Sequence, residues 1–257
     1  MLKKTIATSL LLAASGAAFA QTNALEPDYT LTFNVGALSD YRVRGIAQTS
    51  FKPALQAGAD FAHKSGFYAG TAASNVRWVK DFNGATRGSL ELDLYGGFRD
   101  AIDGTLSYDV GVITYQYPRN NSGEAGTPGA GQFANANTTE VYGALTYRIF
   151  TFKYNRSVGH FLGNLDSRGS QYFDLSAAID LGNGLILTPH LGRQLVPHQV
   201  LPANYTDGSL TLAKDFGKGL VGTVAAIATN ADRAFYTDLN GRYLGRKTLQ
   251  VGVKYTF

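Results

Sequence analysis

Two carboxylates on one strand are the side chains of this sequence whose spacing most resembles a catalytic pair. Glu91 and Asp93 are two residues apart, so on a β-strand they face the same side, about 7 Å from each other. Acid–base pairs use such a spacing, but so does any strand with a polar face. Because the residues around them alternate between leucine and polar types, a polar lining is favoured over an acid–base pair.

The four histidines offer little more for catalysis. Ser157 and His160 share a predicted loop, but an isolated Ser-x-x-His is a weak signal. His190 falls on the polar face of a predicted strand with Thr188, and no Ser or Asn stands at a spacing that marks a triad. We therefore predict no catalytic residues, no metal site and no cofactor. An outer-membrane lipid-modifying enzyme that uses His190 or His160 stays as an alternative.

The elements that must position these residues are strands. The composition of Gly 30, Tyr 15 and Phe 15, with one Met and one Trp, favours aromatic strands punctuated by glycine over helices. Period-2 alternation between turn residues predicts about twelve strands, although ten or fourteen stay open. They are placed near 29–39, 52–63, 66–76, 89–98, 105–117, 139–147, 150–156, 171–180, 185–193, 206–214, 220–229 and 248–257.

The connections between these strands alternate in length. Short ones such as Lys64-Ser65 and Arg148-Ile149 follow long ones such as Asp40 to Phe51 and Pro118 to Thr138. Short periplasmic turns and long external loops are typical of outer-membrane barrels, which have an even number of antiparallel strands in bacteria. The sequence thus predicts an all-β fold, an antiparallel transmembrane β-barrel.

Both ends of the chain agree with export to the cell outer membrane. Residues 1–20 carry Lys3 and Lys4, a short apolar run and Ala18-Phe19-Ala20, which predicts a signal peptide and a single mature domain over residues 21–257. The alternating segment that ends at Phe257 is typical of a last barrel strand, through which we expect contact with the barrel-assembly machinery.

Charge and cysteine content exclude other classes of protein. Without the two signal-peptide lysines, the 23 basic residues fall to 21 against 19 acidic ones, which gives no reason to expect nucleic acid as a partner. Cysteine is absent, so there is no thiolate metal site and no lipid-modified cysteine. The expected partners are outer-membrane lipid and small hydrophilic solutes.

The polar faces of the strands predict two charged walls inside the barrel. The acidic wall contains Asp60, Glu91, Asp93 and Asp109, and the basic wall contains Arg148, Lys153 and Lys254. Such walls would either line an open, narrow channel or form a salt-bridge network that fills it. Glycines on the same face favour open space: Gly58, Gly70, Gly97, Gly111 and Gly252. Arg193 breaks the pattern, because it shares a face with Leu187 and Leu191, and is interpreted as a strand-end residue.

Several segments resemble a known family. Ser39-Asp-Tyr-Arg-Val-Arg-Gly-Ile-Ala-Gln-Thr49, Gly66-Phe-Tyr-Ala-Gly70 and Glu91-Leu-Asp-Leu-Tyr-Gly-Gly97 are similar to the TorF-type family of proteobacterial outer-membrane porins. The resemblance implies an outer-membrane barrel and brings no catalytic residue and no substrate. Asp40, Arg42 and Arg44 begin the first external loop, where they would form either a constriction in the lumen or a loop-stabilising ion pair.

The leading functional hypothesis is therefore a porin-like channel. It would allow passive diffusion of small hydrophilic solutes or ions through a narrow charged lumen. Besides the enzyme alternative, a closed barrel that serves as a structural or adhesion platform through its loops stays open.

Overall fold

A computed structural model of the protein describes residues 27–257, so the predicted signal peptide lies outside the described residues. Within these residues, fifteen strands and one short helix, α1, make up the regular structure. Their bounds are β1 Tyr29–Leu38, β2 Arg42–Val43, β3 Ile46–Ala47, β4 Ala54–His63, β5 Phe67–Asn75, α1 Trp78–Asp81, β6 Leu90–Ala101, β7 Leu106–Gln116, β8 Thr138–Tyr147, β9 Phe150–Ser157, β10 Gln171–Ala177, β11 Ile179–Gly182, β12 Leu185–Leu195, β13 Tyr205–Gly217, β14 Leu220–Thr229 and β15 Thr248–Thr256.

The sheet closes on itself into a barrel. Each strand pairs antiparallel with its neighbours, β1 pairs with both β4 and β15, and the β10–β12 pairing completes the ring. β10 and β11 share one position around the ring, since both pair with β12, and the β2–β3 hairpin stands apart. The wall thus has twelve strands, which confirms the predicted fold class and strand number.

The wall exposes its apolar side chains and turns its polar ones inward. On β15, the outward side chains of Leu249 and Val251 are 71% and 56% exposed. The inward side chains of Gln250 and Lys254 on the same strand are partly buried. This is the period-2 pattern of a strand with lipid on one side and a polar interior on the other. Among residues 27–257, no helix is long and apolar enough to cross a membrane.

The two ends of the barrel differ as the sequence predicts. Tight turns join strands at the periplasmic end, where the carboxylate of Asp103 accepts hydrogen bonds from the backbone N–H groups of Thr105 and Leu106. Long loops join the strands at the external end. We call these six loops the lid: residues 39–53, 76–89, 117–137, 158–170, 196–204 and 230–247.

The buried apolar core lies mainly in the lid rather than inside the barrel. One cluster surrounds Trp78 and Val79 of α1, a second contains Ile46 and Leu244, and a third contains Phe161. Six loops packed in this way form a compact layer over the external mouth.

Candidate functional site: the barrel interior and its external mouth

The tip of the first loop projects into the mouth of the barrel. The β2–β3 hairpin turns at Arg44 and Gly45, which have φ angles of 50° and 78°. A Cβ atom at Gly45 would lie 2.9 Å from the Cβ of Asp207 on β13, so only glycine fits this close approach. The hairpin leaves the barrel between β1 and β4 and reaches the strands on the other side.

Arg44 fixes this tip to the far wall. Its Nη2 lies 2.6 Å from Oε2 of Glu140 on β8, its Nη1 donates to Oε1 of Gln194 on β12 at 2.8 Å, and the guanidinium lies 4.3 Å from the ring centroid of Tyr172 on β10. Although burial opposes the charge, the Glu140 carboxylate raises the pKa of Arg44 above its ordinary value. The arginine therefore stays charged in its buried position.

Asp40 and Arg42 hold the shape of the same loop. Arg42 Nε donates to Oδ2 of Asp40 at 2.8 Å, and its Nη1 donates to the carbonyls of Gly45 and Arg246, both at 2.9 Å. This pair lies at the base of the hairpin, and only Arg44 reaches across the mouth. The three residues predicted for the constriction are thus close in space but have different contacts.

A partly buried ionic cluster joins the first, second and sixth loops of the lid. Oδ2 of Asp81 accepts hydrogen bonds from Ser50 Oγ at 2.7 Å, Arg242 Nη2 at 2.8 Å and Arg77 Nε at 3.2 Å. Burial raises the pKa of Asp81, but the Ser50 hydrogen bond and the two arginines outweigh it and lower the pKa below its ordinary value. The carboxylate is thus held in its charged form.

The hairpin and the neighbouring lid loops border a small cavity. A cavity of about 50 Å³ lies between the hairpin and the other loops, lined by residues that include Arg44, Trp78 and Phe161. That is room for one or two water molecules and too little for a solute.

Glu91, one of the predicted acidic residues, lies buried directly under the lid. Its two carboxylate oxygens accept hydrogen bonds from the hydroxyls of Tyr41 at 2.7 Å and Tyr117 at 2.6 Å, and it is 2% exposed. Burial and the nearby Glu91 raise the pKa of Tyr41, so this hydroxyl stays a donor. Asp93 is the next inward residue of β6, farther from the lid. Its Oδ1 has no hydrogen-bond partner among residues 27–257.

Asp60 and Asp109 face the interior and bond to tyrosines. Tyr95 donates to Oδ1 of Asp60, and Tyr68 donates to Oδ1 of Asp109 at 2.5 Å. Lys153 from the predicted basic wall also faces inward, with its Nζ 3.9 Å from the ring centroid of Tyr142. Lys254 faces inward on β15 and interacts electrostatically with Asp60.

The lumen glycines make room for tyrosine rings and do not leave open space. A Cβ atom at Gly70 would lie 2.5 Å from the ring of Tyr95, one at Gly97 would lie 2.6 Å from the hydroxyl of Tyr68, and one at Gly111 would lie 2.5 Å from that of Tyr142. The expectation from these three glycines was wrong, because each missing side chain lets a ring from a neighbouring strand lie flat on the wall. Gly252 is covered in the same way, by Leu38 and Thr223.

The charges are not divided between two opposite walls. Arg148 lies in the exposed turn between β8 and β9, with a φ angle of 55°, so it is not a wall residue. Its assignment to the basic wall was wrong, because it follows the last residue of β8, Tyr147, and lies in the connection that the sequence predicts there. Further charged residues that face the interior lie among the predicted ones: Arg99 on β6, Glu140 on β8, Asp174 on β10 and Asp207 on β13.

Within residues 27–257, the partners of His190 are two carboxylates and a tyrosine hydroxyl. His190 Nε2 lies 2.9 Å from Oδ2 of Asp174 and 3.1 Å from the Tyr172 hydroxyl, and its Nδ1 lies 3.7 Å from Oδ1 of Asp207. Ser157 Oγ has no hydrogen-bond partner within the described part of the chain. His190 is thus part of a polar network on which the tip of the hairpin rests. The sequence indicated its polar face but not its partners, which come from other strands.

Comparison with known families identifies the chain. A family model described as "Bacterial protein of unknown function (Gcw_chp)" matches residues 22–257. The chain belongs to the Gcw_chp family. A search of curated proteins found no match for this Gcw_chp chain.

Solved structures share the fold of this Gcw_chp protein. The KdgM porin in complex with disordered oligogalacturonate is 8% identical, with a TM-score of 0.54 over 88% of this chain and 98% of that one. The TodX deltaS2S3 mutant monoaromatic hydrocarbon channel is 12% identical, with a TM-score of 0.51 over 90% of each chain. At these identities the likeness establishes the β-barrel fold.

Proposed function

We propose that the protein is an outer-membrane channel for passive diffusion of small hydrophilic solutes or ions, and that its lid closes the external mouth. The observation that carries the proposal is the closed twelve-stranded wall with apolar side chains outside and charged ones inside. Such a barrel satisfies its backbone hydrogen bonds within lipid and keeps a polar interior.

Family resemblance and fold support the same conclusion. Segments of the chain between Ser39 and Gly97 are similar to TorF-type porins, and the overlapping solved structures include a porin and a hydrocarbon channel. The polar and charged interior favours hydrophilic solutes over hydrocarbons.

Charged side chains of both signs line the interior of the barrel. The inward acidic residues are Asp60, Glu91, Asp93, Asp109, Glu140, Asp174 and Asp207, and the inward basic residues are Arg44, Arg99, Lys153 and Lys254. Side chains of both signs suit small hydrophilic solutes and ions, as the proposal requires.

Arg44 is the residue that we expect to keep the mouth closed. It joins the hairpin to strands β8 and β12, and its loss would leave Glu140 and Gln194 without their partner. Solutes would pass when the hairpin moves out of the mouth, a motion that gating loops make on the microsecond to millisecond timescale.

Single-channel conductance of the refolded protein in a planar bilayer tests the proposal. We expect rare or small openings for the wild type and frequent, larger ones for Arg44→Ala. Arg87→Ala, which removes an exposed arginine of the lid, should behave like the wild type. The heat-dependent electrophoretic mobility of the barrel would confirm that each variant is folded.

A folded Arg44→Ala barrel that never conducts would overturn the channel. A closed barrel that acts as a platform for its loops would then be the better explanation. A wild type that conducts as freely as Arg44→Ala would keep the channel and reject the lid as its closure.

A further inference from the structure

Two arginines interrupt the apolar outer surface of the wall. Arg193 on β12 shares its outward face with Leu187 and Leu191, and Arg156 on β9 shares its outward face with Phe152. Both side chains are exposed. An outward arginine costs about 2–4 kcal/mol at the middle of a bilayer and about 0–1 near its surface, so its depth decides whether it is tolerated.

The two arginines lie at the external rim of the barrel. β9 and β12 both begin at periplasmic turns, and Arg156 and Arg193 are within two residues of their external ends. β10 lies between them, with Arg156 opposite Gln171 and Arg193 opposite Phe173. Two strand spacings and a two-residue offset put their Cα atoms about 12 Å apart.

The surface between the arginines is polar at the external rim and aromatic next to it, toward the middle of the wall. Tyr154 donates to Oε1 of Gln171 at 3.0 Å, and its ring lies 5.1 Å from that of Phe173. Farther from the rim, the outward side chains of Leu175 and Leu191 are 49% and 58% exposed. This order of groups matches the order of headgroup, interface and acyl chain in a lipid leaflet.

Neither arginine is neutralised by the protein. Within residues 27–257, no carboxylate forms a salt bridge with Arg156 or Arg193. Arg193 donates one hydrogen bond, from Nη1 to Thr206 Oγ1 at 3.1 Å, and the guanidinium of Arg156 lies next to Gly169 at the base of the lid. Most of their N–H donors are thus directed to the surroundings of the barrel.

We propose that Arg156 and Arg193 bind phosphate groups of a phosphorylated glycolipid in the outer leaflet of the membrane. The guanidinium forms paired hydrogen bonds to phosphate, and two cations about 12 Å apart fit a headgroup with two phosphates. Tyr154 and Phe173 would contact the sugar, and the leucines would contact the acyl chains. The inference rests on the membrane orientation of the proposed function but not on conduction.

Native mass spectrometry of the folded full-length mature protein in detergent tests this site. The probe is lipid A that carries two phosphates, and the comparison lipids are its dephosphorylated form and phosphatidylethanolamine. For Arg156→Gln with Arg193→Gln, we expect the affinity for the bis-phosphorylated lipid to fall at least about tenfold, as the loss of charge-assisted hydrogen bonds implies.

A matched control removes two positive charges at the opposite end of the barrel. Lys214 faces outward near the periplasmic end, and Lys218 lies in the exposed turn after it. Lys214→Gln with Lys218→Gln should keep the wild-type affinity. Equal loss in both double variants, or equal binding of the dephosphorylated lipid to the wild type, would overturn the proposal. Failure of the channel to conduct would leave this result unchanged, so the two proposals can fail separately.

Discussion

Leu244 and Leu249 are five residues apart, yet the first is 2% exposed and the second is 71% exposed. Leu244 belongs to the lid, where loops bury apolar side chains against each other as a soluble domain does. Leu249 belongs to the wall, where apolar side chains face outward and lipid must cover them. The comparison shows two layers with separate sources of stability. The lid can therefore loosen while the wall keeps its backbone hydrogen bonds.

The largest effect is expected where the two layers meet. Glu140→Ala leaves the Arg44 guanidinium buried without its carboxylate, which costs about 3–5 kcal/mol. We expect the hairpin to leave the mouth, so hydrogen–deuterium exchange of residues 42–47 should accelerate while exchange in the wall strands stays the same.

Glu124→Ala is the matched control for that substitution. Glu124 lies exposed in the third loop of the lid. The Glu124→Ala substitution should leave the hydrogen–deuterium exchange of residues 42–47 at the wild-type rate. If Glu140→Ala also left that rate unchanged, the lid and the wall would not be joined through Arg44.

The two leucines provide the next test. Leu244→Ala leaves a cavity among packed loops and should destabilise the lid by about 2–5 kcal/mol. Leu249→Ala leaves no cavity, because fluid acyl chains fill the space, so it should cost only the transfer of the lost atoms, about 2 kcal/mol for three carbons. Acrylamide quenching of Trp78, the single tryptophan, which is 4% exposed, should increase for Leu244→Ala alone. Equal quenching in both variants would contradict the separation of the layers.

A glycine substitution tests the wall by itself. Gly70→Ala would push a methyl group into the ring of Tyr95 and should destabilise the barrel by about 1–3 kcal/mol in urea unfolding from lipid vesicles. Gly104 lies in a periplasmic turn, and a Cβ atom there would have no neighbouring atom within 4 Å, so Gly104→Ala should be close to neutral. Quenching of Trp78 should not change in either variant, and an increase with Gly70→Ala would show that the lid depends on the wall packing beneath it.

The smallest effect concerns pH. Because the pKa of Asp81 is lower in the folded lid than its ordinary value of 3.8, its ion pairs stabilise the lid above about pH 4. This contribution is lost as the pH falls below that value, and partly exposed pairs contribute about 1 kcal/mol or less. Quenching of Trp78 should therefore increase as the pH is lowered from about 5 to below the lowered pKa of the carboxylate.

Asp81→Asn is the variant that assigns this pH dependence. At about pH 5, quenching of Trp78 should already be higher in this variant than in the wild type. As the pH is lowered further, quenching should increase less in the variant than in the wild type. An increase as large as that of the wild type would assign the acid response to another carboxylate.

The wall was predictable because its signal is local. In β4 and β15, every second residue is apolar and indicates which side faces lipid. Turn residues mark where the strands end. The predicted bounds of most strands therefore lie within two residues of those observed. The fourth and tenth predicted strands end three residues later than predicted, and the eighth is divided into β10 and β11 at Ala178. A break of one residue does not disturb the period enough to be seen.

The lid was not predictable because its contacts are distant in sequence and have no period. Arg44 was named as a residue of the first loop, but nothing in the neighbouring sequence indicates Glu140, 96 residues later, or Gln194, 150 residues later. The direction of the lumen tyrosines was missed for a similar reason, because Gly70 and Tyr95 become neighbours only when β5 and β6 are in register. The pattern gave the face of each residue but not its partner.

The hairpin also connects opposite sides of the barrel wall across the mouth. It starts between β1 and β4 and is bonded through Arg44 to β8 and β12, so it spans the opening. Flattening of the barrel along that line must compress or break a contact of 2.6 Å between Arg44 and Glu140. As long as this contact holds, we expect the hairpin to resist lateral pressure from the surrounding lipid at this end of the barrel.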